Sequence, residues 1–241
     1  MQLDVYDIMI KTLVNMWDAL KANPVLIVFI VAACIIAFLK AIKSPVSRKE
    51  KGAYGEKHIE IELNRLSLFG RNGKKLRNIY IPKDDGSTSE IDVLYITQKG
   101  IFVFESKNCS GWIFGKESDQ YWTVSLPNGQ KNKLYNPIRQ NRSHIKWLRR
   151  YLGKEIPMFS IIVFSDRCEL KKMVVESSDV RVIKWESLYS TVREIWDSVD
   201  DANIDVDGLY ENLEKLTNVD EAVKAAHVES IQNRYGGKKS I

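Results

Sequence analysis

The sequence predicts an α/β fold, and three observations carry that expectation. Residues 53–68 place Ile59, Leu63 and Leu66 at spacings of four and three, which is one face of a helix. Residues 89–108, SEIDVLYITQKGIFVFESKN, read as two short strands rich in Val, Ile, Tyr and Phe, joined at Thr97-Gln98-Lys99-Gly100. Asn136-Pro137 then opens a helix that runs to about Leu152 and stops at Gly153, and a strongly apolar strand follows over 157–165.

Taken in order, the chain begins with residues 1–23, where Leu3, Ile8, Leu13, Met16, Trp17 and Leu20 suggest an amphipathic helix. Residues 24–42 contain VLIVFIVAACIIAFL, apolar without interruption. At about 1.5 Å rise per residue this length approaches the ~30 Å of a bilayer's hydrocarbon core, so the sequence predicts one transmembrane helix. A cleaved signal peptide fits worse, because no positive n-region precedes the run and no small-x-small site follows it. Lys40, Lys43, Arg48, Lys49 and Lys51 follow the run, against Lys11 and Lys21 before it. The positive-inside rule then predicts a single-pass protein of the cell membrane, N-terminus outside and the remainder cytoplasmic. The unpaired cysteines Cys34, Cys109 and Cys168 agree with a reducing compartment.

Residues 43–52 read as a linker, and 53–165 as the main domain. After the helix at 53–68 come a strand over 76–82, a turn at Asp84-Asp85-Gly86, and the hairpin. Residues 109–115 lead to a strand at 121–126. Residues 166–241 are expected to form an α/β extension, with a strand at 180–185, a helix at 188–199, an acidic stretch, and a last helix ending at Gly236-Gly237 with a basic tail. The isolated His58, His144 and His227, with the scattered cysteines, give no zinc spacing.

The hairpin carries the chemistry. If Gln98 and Lys99 form a two-residue turn, Asp92 faces Glu105 and Glu90 faces Lys107, on one face of the sheet. If Gly100 instead sits in a three-residue loop with a bulge, Asp92 opposes Ser106 and the carboxylates part. Two carboxylates held close repel unless a cation lies between them. Hard divalent cations take such oxygen ligands together with substrate phosphate. The plainer alternative is a sheet face bearing a solvated ion pair. Glu56 projects from the core-facing side of the first helix near its start, where a carboxylate also suits the helix dipole. From Gln120 to Lys154 there is no Asp or Glu. Lys131, Lys133, Arg139, Arg142, Lys146 and Arg149 in that stretch are candidates for binding a phosphate backbone, or a solvated face near an anionic surface.

The blocks Gly55-Glu56, Ser89-Glu90-Ile91-Asp92, Gly100 to Asn108, Gly111-Trp112-Ile113 and Asn136 to Asn141 resemble, in order, the NERD (nuclease-related) domain. The resemblance covers roughly residues 50–165 and extends to the PD-(D/E)-x-K nuclease superfamily. It implies a restriction-endonuclease-like core, α-β-β-β-α-β. It implies Asp92 and Glu105 as metal ligands with Glu56 auxiliary, Lys107 as the catalytic lysine, and Gln140 facing the site. The implied cofactor is Mg²⁺ or Mn²⁺, and the implied partner is nucleic acid, DNA before RNA. The motif here is Glu-Ser-Lys, with a small residue where an apolar one is more usual. Many nucleases of the superfamily act as dimers, which admits a homodimer, though nothing in the sequence marks a dimer surface. The function expected is a membrane-anchored, metal-dependent nuclease. The alternative is a catalytically silent nucleic-acid-binding module, or a membrane-tethered interaction module, on the same fold.

Overall fold

A computed structural model describes residues 48–235 and, ahead of them, helical residues at 10–12, 14–15, 17–18, 29, 32–33 and 35–36. The chain divides into two units, Met1–Ser47 and Arg48–Ile241. The expected membrane topology is corrected: among the described residues no helix is long and apolar enough to cross a membrane. From Arg48 onward the helices carry charges on most turns and bury only part of their surface, which suits a sheet and not hydrocarbon. Most of the expected span at 24–42 lies outside the described residues, as do most of the segment at 1–23, linker residues 43–47 and the tail after Tyr235. A bilayer partner is accordingly not supported.

Helix α1 (Arg48–Leu68) begins within the expected linker and buries Ile59, Leu63 and Leu66, the predicted stripe. The chain then runs β1 (Gly73–Pro82), β2 (Thr88–Thr97), β3 (Gly100–Lys107), β4 (Gly111–Lys116), β5 (Tyr121–Ser125), β6 (Lys131–Tyr135), α2 (Pro137–Leu152), β7 (Met158–Phe164), β8 (Cys168–Val174) and β9 (Val180–Lys184). A short 3-10 turn (Trp185–Ser187) leads into α3 (Leu188–Ser198), α4 (Val206–Glu214) and α5 (Glu221–Tyr235). Both sheets are mixed. The larger has the order β1-β2-β3-β7-β9, antiparallel as far as β3 and parallel beyond it. The smaller has the order β6-β5-β4-β8, with only β4 and β8 parallel.

Among the described residues three clusters form the core. On one face of the large sheet, Leu94, Ile96, Ile101 and Val103 pack with Leu148 of α2 and with Leu209 and Leu213 of α4. On the other, Val93, Tyr95, Phe102 and Phe104 pack with α1 and with Leu188 and Val192 of α3. The third joins the small sheet, through Ile113 and Trp122, to Ile138 of α2 and Phe164 of β7. Each fully buried aliphatic or aromatic side chain contributes about 1.5–3 kcal/mol.

Helix α2 is the brace between the sheets. Asn136 caps it, its Oδ1 accepting the Ile138 amide at 2.9 Å, and Pro137 supplies the first turn. The Asn136 amide also donates to the carbonyls of Glu117 at 3.0 Å and Asp119 at 2.7 Å, which fixes the β4–β5 turn to the helix. Asn141, fully buried, donates to Val103 O and Ser160 Oγ, both at 2.9 Å, and fixes the helix to β3 and β7. Gly153 ends the helix in the left-handed conformation.

The strands β1 and β2 change faces midway. In β2, Leu94 and Ile96 belong to the first cluster, but so does Ile91, whose spacing from them is odd. In β1, Leu76, Ile79 and Ile81 repeat the break. The break falls between them at Asn78, which has φ 51°, and at Asp92 opposite. A left-handed residue inside a strand interrupts the pleat, and asparagine tolerates that conformation better than most.

Candidate active site

The hairpin takes the two-residue turn. Thr97 pairs with Gly100 and Val93 with Phe104, and Asp92 and Glu105 are the next residues on the two strands, close enough for the Glu105 charge to act on Asp92. The paired ladder stops there. The Ser106 amide turns to Asp92 Oδ2, at 2.7 Å, while Glu105, Ser106 and Lys107 pair with β7 on their other side. The hairpin therefore opens where its two carboxylates lie.

Glu105 is 1% exposed. Lys107 Nζ donates to Glu105 Oε1 and, at 3.1 Å, to Gln140 Oε1 on α2. Gln140 and His144 stand one helical turn apart and face the same way. His144 Nε2 lies 3.2 Å from Glu105 Oε2, within ion-pair range but off the direction of a good hydrogen bond. Burial works to raise the Glu105 pKa, but Lys107 and His144 overcome it and hold the carboxyl below its usual value. Burial works to lower the Lys107 pKa, but Glu105 and Asp92 raise it, so the side chain is an ammonium at neutral pH.

Asp92 goes the other way. Burial first, then the Glu105 charge, raise its pKa well above the ordinary value against the pull of Lys107 and the Ser106 amide. Glu56 is raised too, by burial and by Glu90, with Arg77 and Asn78 opposing. Its charge also acts on Asp92. It is brought there because Gly55 lies against β3: a Cβ at Gly55 would sit 2.3 Å from Ser106 Oγ. The small central residue of Glu-Ser-Lys thus has a steric reason, since α1 crosses directly over it.

Glu90 does not join Lys107. Beyond the break in the pleat it turns to the opposite side, where Tyr80 Oη donates to its Oε1 at 2.7 Å and His227 Nε2 of α5 lies 3.3 Å from Oε2. Burial tends to raise the Glu90 pKa, but His227 and Tyr80 bring it below the usual value.

The structure thus brings together Asp92, Glu105, Lys107 and Gln140, with Glu56 at the α1 edge. Among the described residues no three His, Cys, Asp or Glu side chains form a metal-binding group by themselves. The facing carboxylates suit a hard cation that completes its shell with water or substrate oxygens. The buried Glu105 Oε2 has no aligned hydrogen-bond partner, and the Asp92 charge is opposed by that of Glu105. Both are conditions a cation would relieve.

Of the basic residues, Arg139, Lys146 and Arg149 form an exposed stripe along α2, on the side away from Gln140. Lys131 and Lys133 are exposed on β6, the edge strand of the small sheet. Arg142 is engaged by Glu117 at 2.5 Å and Ser177 Oγ at 2.6 Å. Burial opposes ionisation of Glu117, but Ser177, the Glu176 amide and Arg142 hold its pKa down at about 2.

Asn78 is a supporting residue that sequence reasoning missed, and Ser89 and Asn141 fell within the motif blocks without being given a role. Asn141 alone left a signal, as an amide on the buried side of an amphipathic helix.

A sheet that opens between facing carboxylates, with a lysine two residues on, defines a class of site rather than one protein. Residues 51–165 match the Nuclease-related domain, NERD. The matched residues are the same segment whose motifs resemble that domain. An uncharacterized protein of Bacillus anthracis is 29% identical over 211 residues, which cover 86% of this chain and 98% of that protein. A crystal structure of AF1548, a protein of unknown function, aligns with TM-score 0.29 and 10% identity over 74% of this chain and 98% of its own, a likeness too weak to assign a fold. Neither comparison supports the homodimer.

Proposed function

We propose that this chain hydrolyses phosphodiester bonds of nucleic acid, DNA before RNA, with Mg²⁺ or Mn²⁺ held by Asp92 and Glu105. The observation that carries the reading is the opening of the β2–β3 hairpin at this carboxylate pair, with Lys107 joined to both Glu105 and Gln140. The run α1-β1-β2-β3, then α2-β7, agrees with a restriction-endonuclease-like core into which β4, β5 and β6 are inserted.

A bound divalent cation would supply Lewis acidity toward the phosphate and lower the pKa of a coordinated water. The protein's own groups do the rest. Lys107 stays protonated, so it serves as a donor and a positive charge, not as a base. Two of its three N–H donors go to Glu105 and Gln140, which leaves one for a phosphate oxygen or a water. Gln140 fixes the direction of the ammonium. Glu56 is the auxiliary carboxylate on the α1 side. The α2 stripe and the two β6 lysines are exposed cations available to more distant parts of the nucleic-acid backbone.

The test is cleavage of a DNA and RNA panel by the full chain with Mg²⁺ or Mn²⁺, beside Asp92→Asn and Lys107→Met. We expect metal-dependent cutting that both substitutions remove while nucleic-acid binding persists. Cutting that survives in both variants, or a wild type that binds the panel without ever cutting, would end the proposal.

A further inference from the structure

Outside the residues already given roles lies a buried chain of polar contacts from β2 through α2 to β3. Ser89 is 3% exposed and His144 7%. Ser89 Oγ lies 2.7 Å from His144 Nδ1, across 55 positions of sequence. His144 Nε2 lies 3.2 Å from Glu105 Oε2. With the Ser89 hydroxyl donating to Nδ1, the imidazole carries its proton on Nε2, the atom that faces Glu105. Lys107 meanwhile holds Glu105 Oε1. The two oxygens of one buried carboxylate thus lie beside two different side chains, Lys107 on β3 and His144 on α2.

A buried histidine that merely filled the core would need no polar neighbour at both nitrogens. Nor would Ser89 reach it if β2 kept a regular pleat. The break at Asp92 puts Ile91 on the α2 side, and Ser89, two residues back, falls on that side with it. The same irregularity that opens the hairpin therefore delivers Ser89 to His144.

We infer that Ser89 and His144 form a positioning pair that fixes the plane of the Glu105 carboxylate for cation binding. The inference rests on the reading of Glu105 as a cation ligand. Groups behind a ligand that fix its orientation typically change metal affinity about 10–100-fold when removed.

The experiment is Mn²⁺ binding to the full chain by isothermal titration calorimetry at fixed pH, without nucleic acid, with thermal melts of the metal-free proteins alongside. We expect His144→Ala to weaken Mn²⁺ binding by about 10–100-fold, and Ser89→Ala to weaken it less while leaving the imidazole in place. His144→Gln, which returns a donor near Nε2, should recover most of the loss, and the losses should not follow the melting temperatures. A wild type that binds Mn²⁺ with Ser89→Ala and His144→Gln both unchanged and His144→Ala within twofold would overturn the pairing alone. Affinities that fall only in step with melting temperature would also overturn it, as a purely structural effect. If His144→Ala does not fold, Ser89→Ala and His144→Gln carry the test, the first expected weaker than wild type and the second close to it. A wild type that binds no Mn²⁺ removes Glu105 as a ligand, and the pairing with it.

Discussion

Asp92→Asn should make the metal-free protein more stable. Asp92 and Glu105 are the first residues beyond the paired ladder, at the open end of the hairpin, and the Glu105 charge acts on Asp92. At the ~5 Å usual for facing Cβ atoms, and an effective dielectric constant of about 20, two like charges repel by about 3 kcal/mol. Lys107 offsets part of this, since it pairs with Glu105 and lowers the Asp92 pKa. A net gain of about 1–2 kcal/mol remains for the neutral side chain, or roughly 3–6 °C in Tm for a domain of this size. Asparagine keeps an acceptor for the Ser106 amide, so that contact need not be lost. The pH dependence follows from the raised Asp92 pKa. Between the unfolded and the folded pKa the native state holds more protons on this group than the unfolded state, so wild-type stability falls as pH rises. The advantage of the variant should accordingly be absent in acid and grow as pH rises through the folded pKa. Scanning calorimetry in EDTA from pH 5 to 9 measures it. A variant less stable than wild type throughout, or a gain that does not change with pH, would refute the electrostatic reasoning. Added Mn²⁺ should reverse the order, stabilising the wild type alone.

Gly55→Ala should cost about 1–3 kcal/mol, because its Cβ meets Ser106 Oγ at 2.3 Å. Combining it with Ser106→Ala, which leaves the nearest contact at the Cβ 3.5 Å away, should restore most of the melting temperature. Replacing Arg139, Lys146 and Arg149 together by alanine should lower the slope of log K against log salt for DNA binding by about 2–3, as read by fluorescence anisotropy, while Arg142→Ala should change stability more than the slope. Glu117→Gln should be less stable than wild type at neutral pH. Its carboxyl is held at about 2, so the stability it contributes is present above the unfolded pKa and is lost as pH falls toward 2. Acid unfolding followed by circular dichroism should show the two curves converging there.

The hairpin was legible because its charged residues are few and its turn admits few registers. Two registers stayed open in the sequence, and the observed ladder, with Thr97 paired to Gly100, follows the two-residue turn. Lys107 was legible from hairpin spacing, two residues beyond Glu105 on the same face, whereas the role of Gln140 was legible only as part of a family pattern, since nothing in its spacing links β3 to a helix beyond the inserted β4–β6. Alternation failed at Glu90. A period of two read straight through Asp92 aims Glu90 at Lys107, whereas the left-handed Asn78 and its neighbour opposite turn it toward Tyr80 and His227. A positive φ at a non-glycine residue has no reliable mark in sequence. Strands β6 and β8 escaped notice because KNKLY and CELKKMV lie at the edges of the small sheet and bury little, so neither shows an apolar run. Helix α4 was hidden by the acidic residues on its exposed side, although Leu209 and Leu213 point into the core. The membrane topology failed differently, by extending one apolar run to the placement of the whole chain.

Asn78 and Asp92 sit where each strand trades one hydrophobic cluster for another. Above that point the inward side chains of β2 answer to one set of helices, and below it the same side of the strand answers to the opposite set. The catalytic aspartate proposed here is thus a seam residue, the only kind of position in a well-packed sheet that neither core needs to fill. A charged group can be kept at such a seam without displacing a packed side chain, and selection for chemistry and selection for packing need not compete over it.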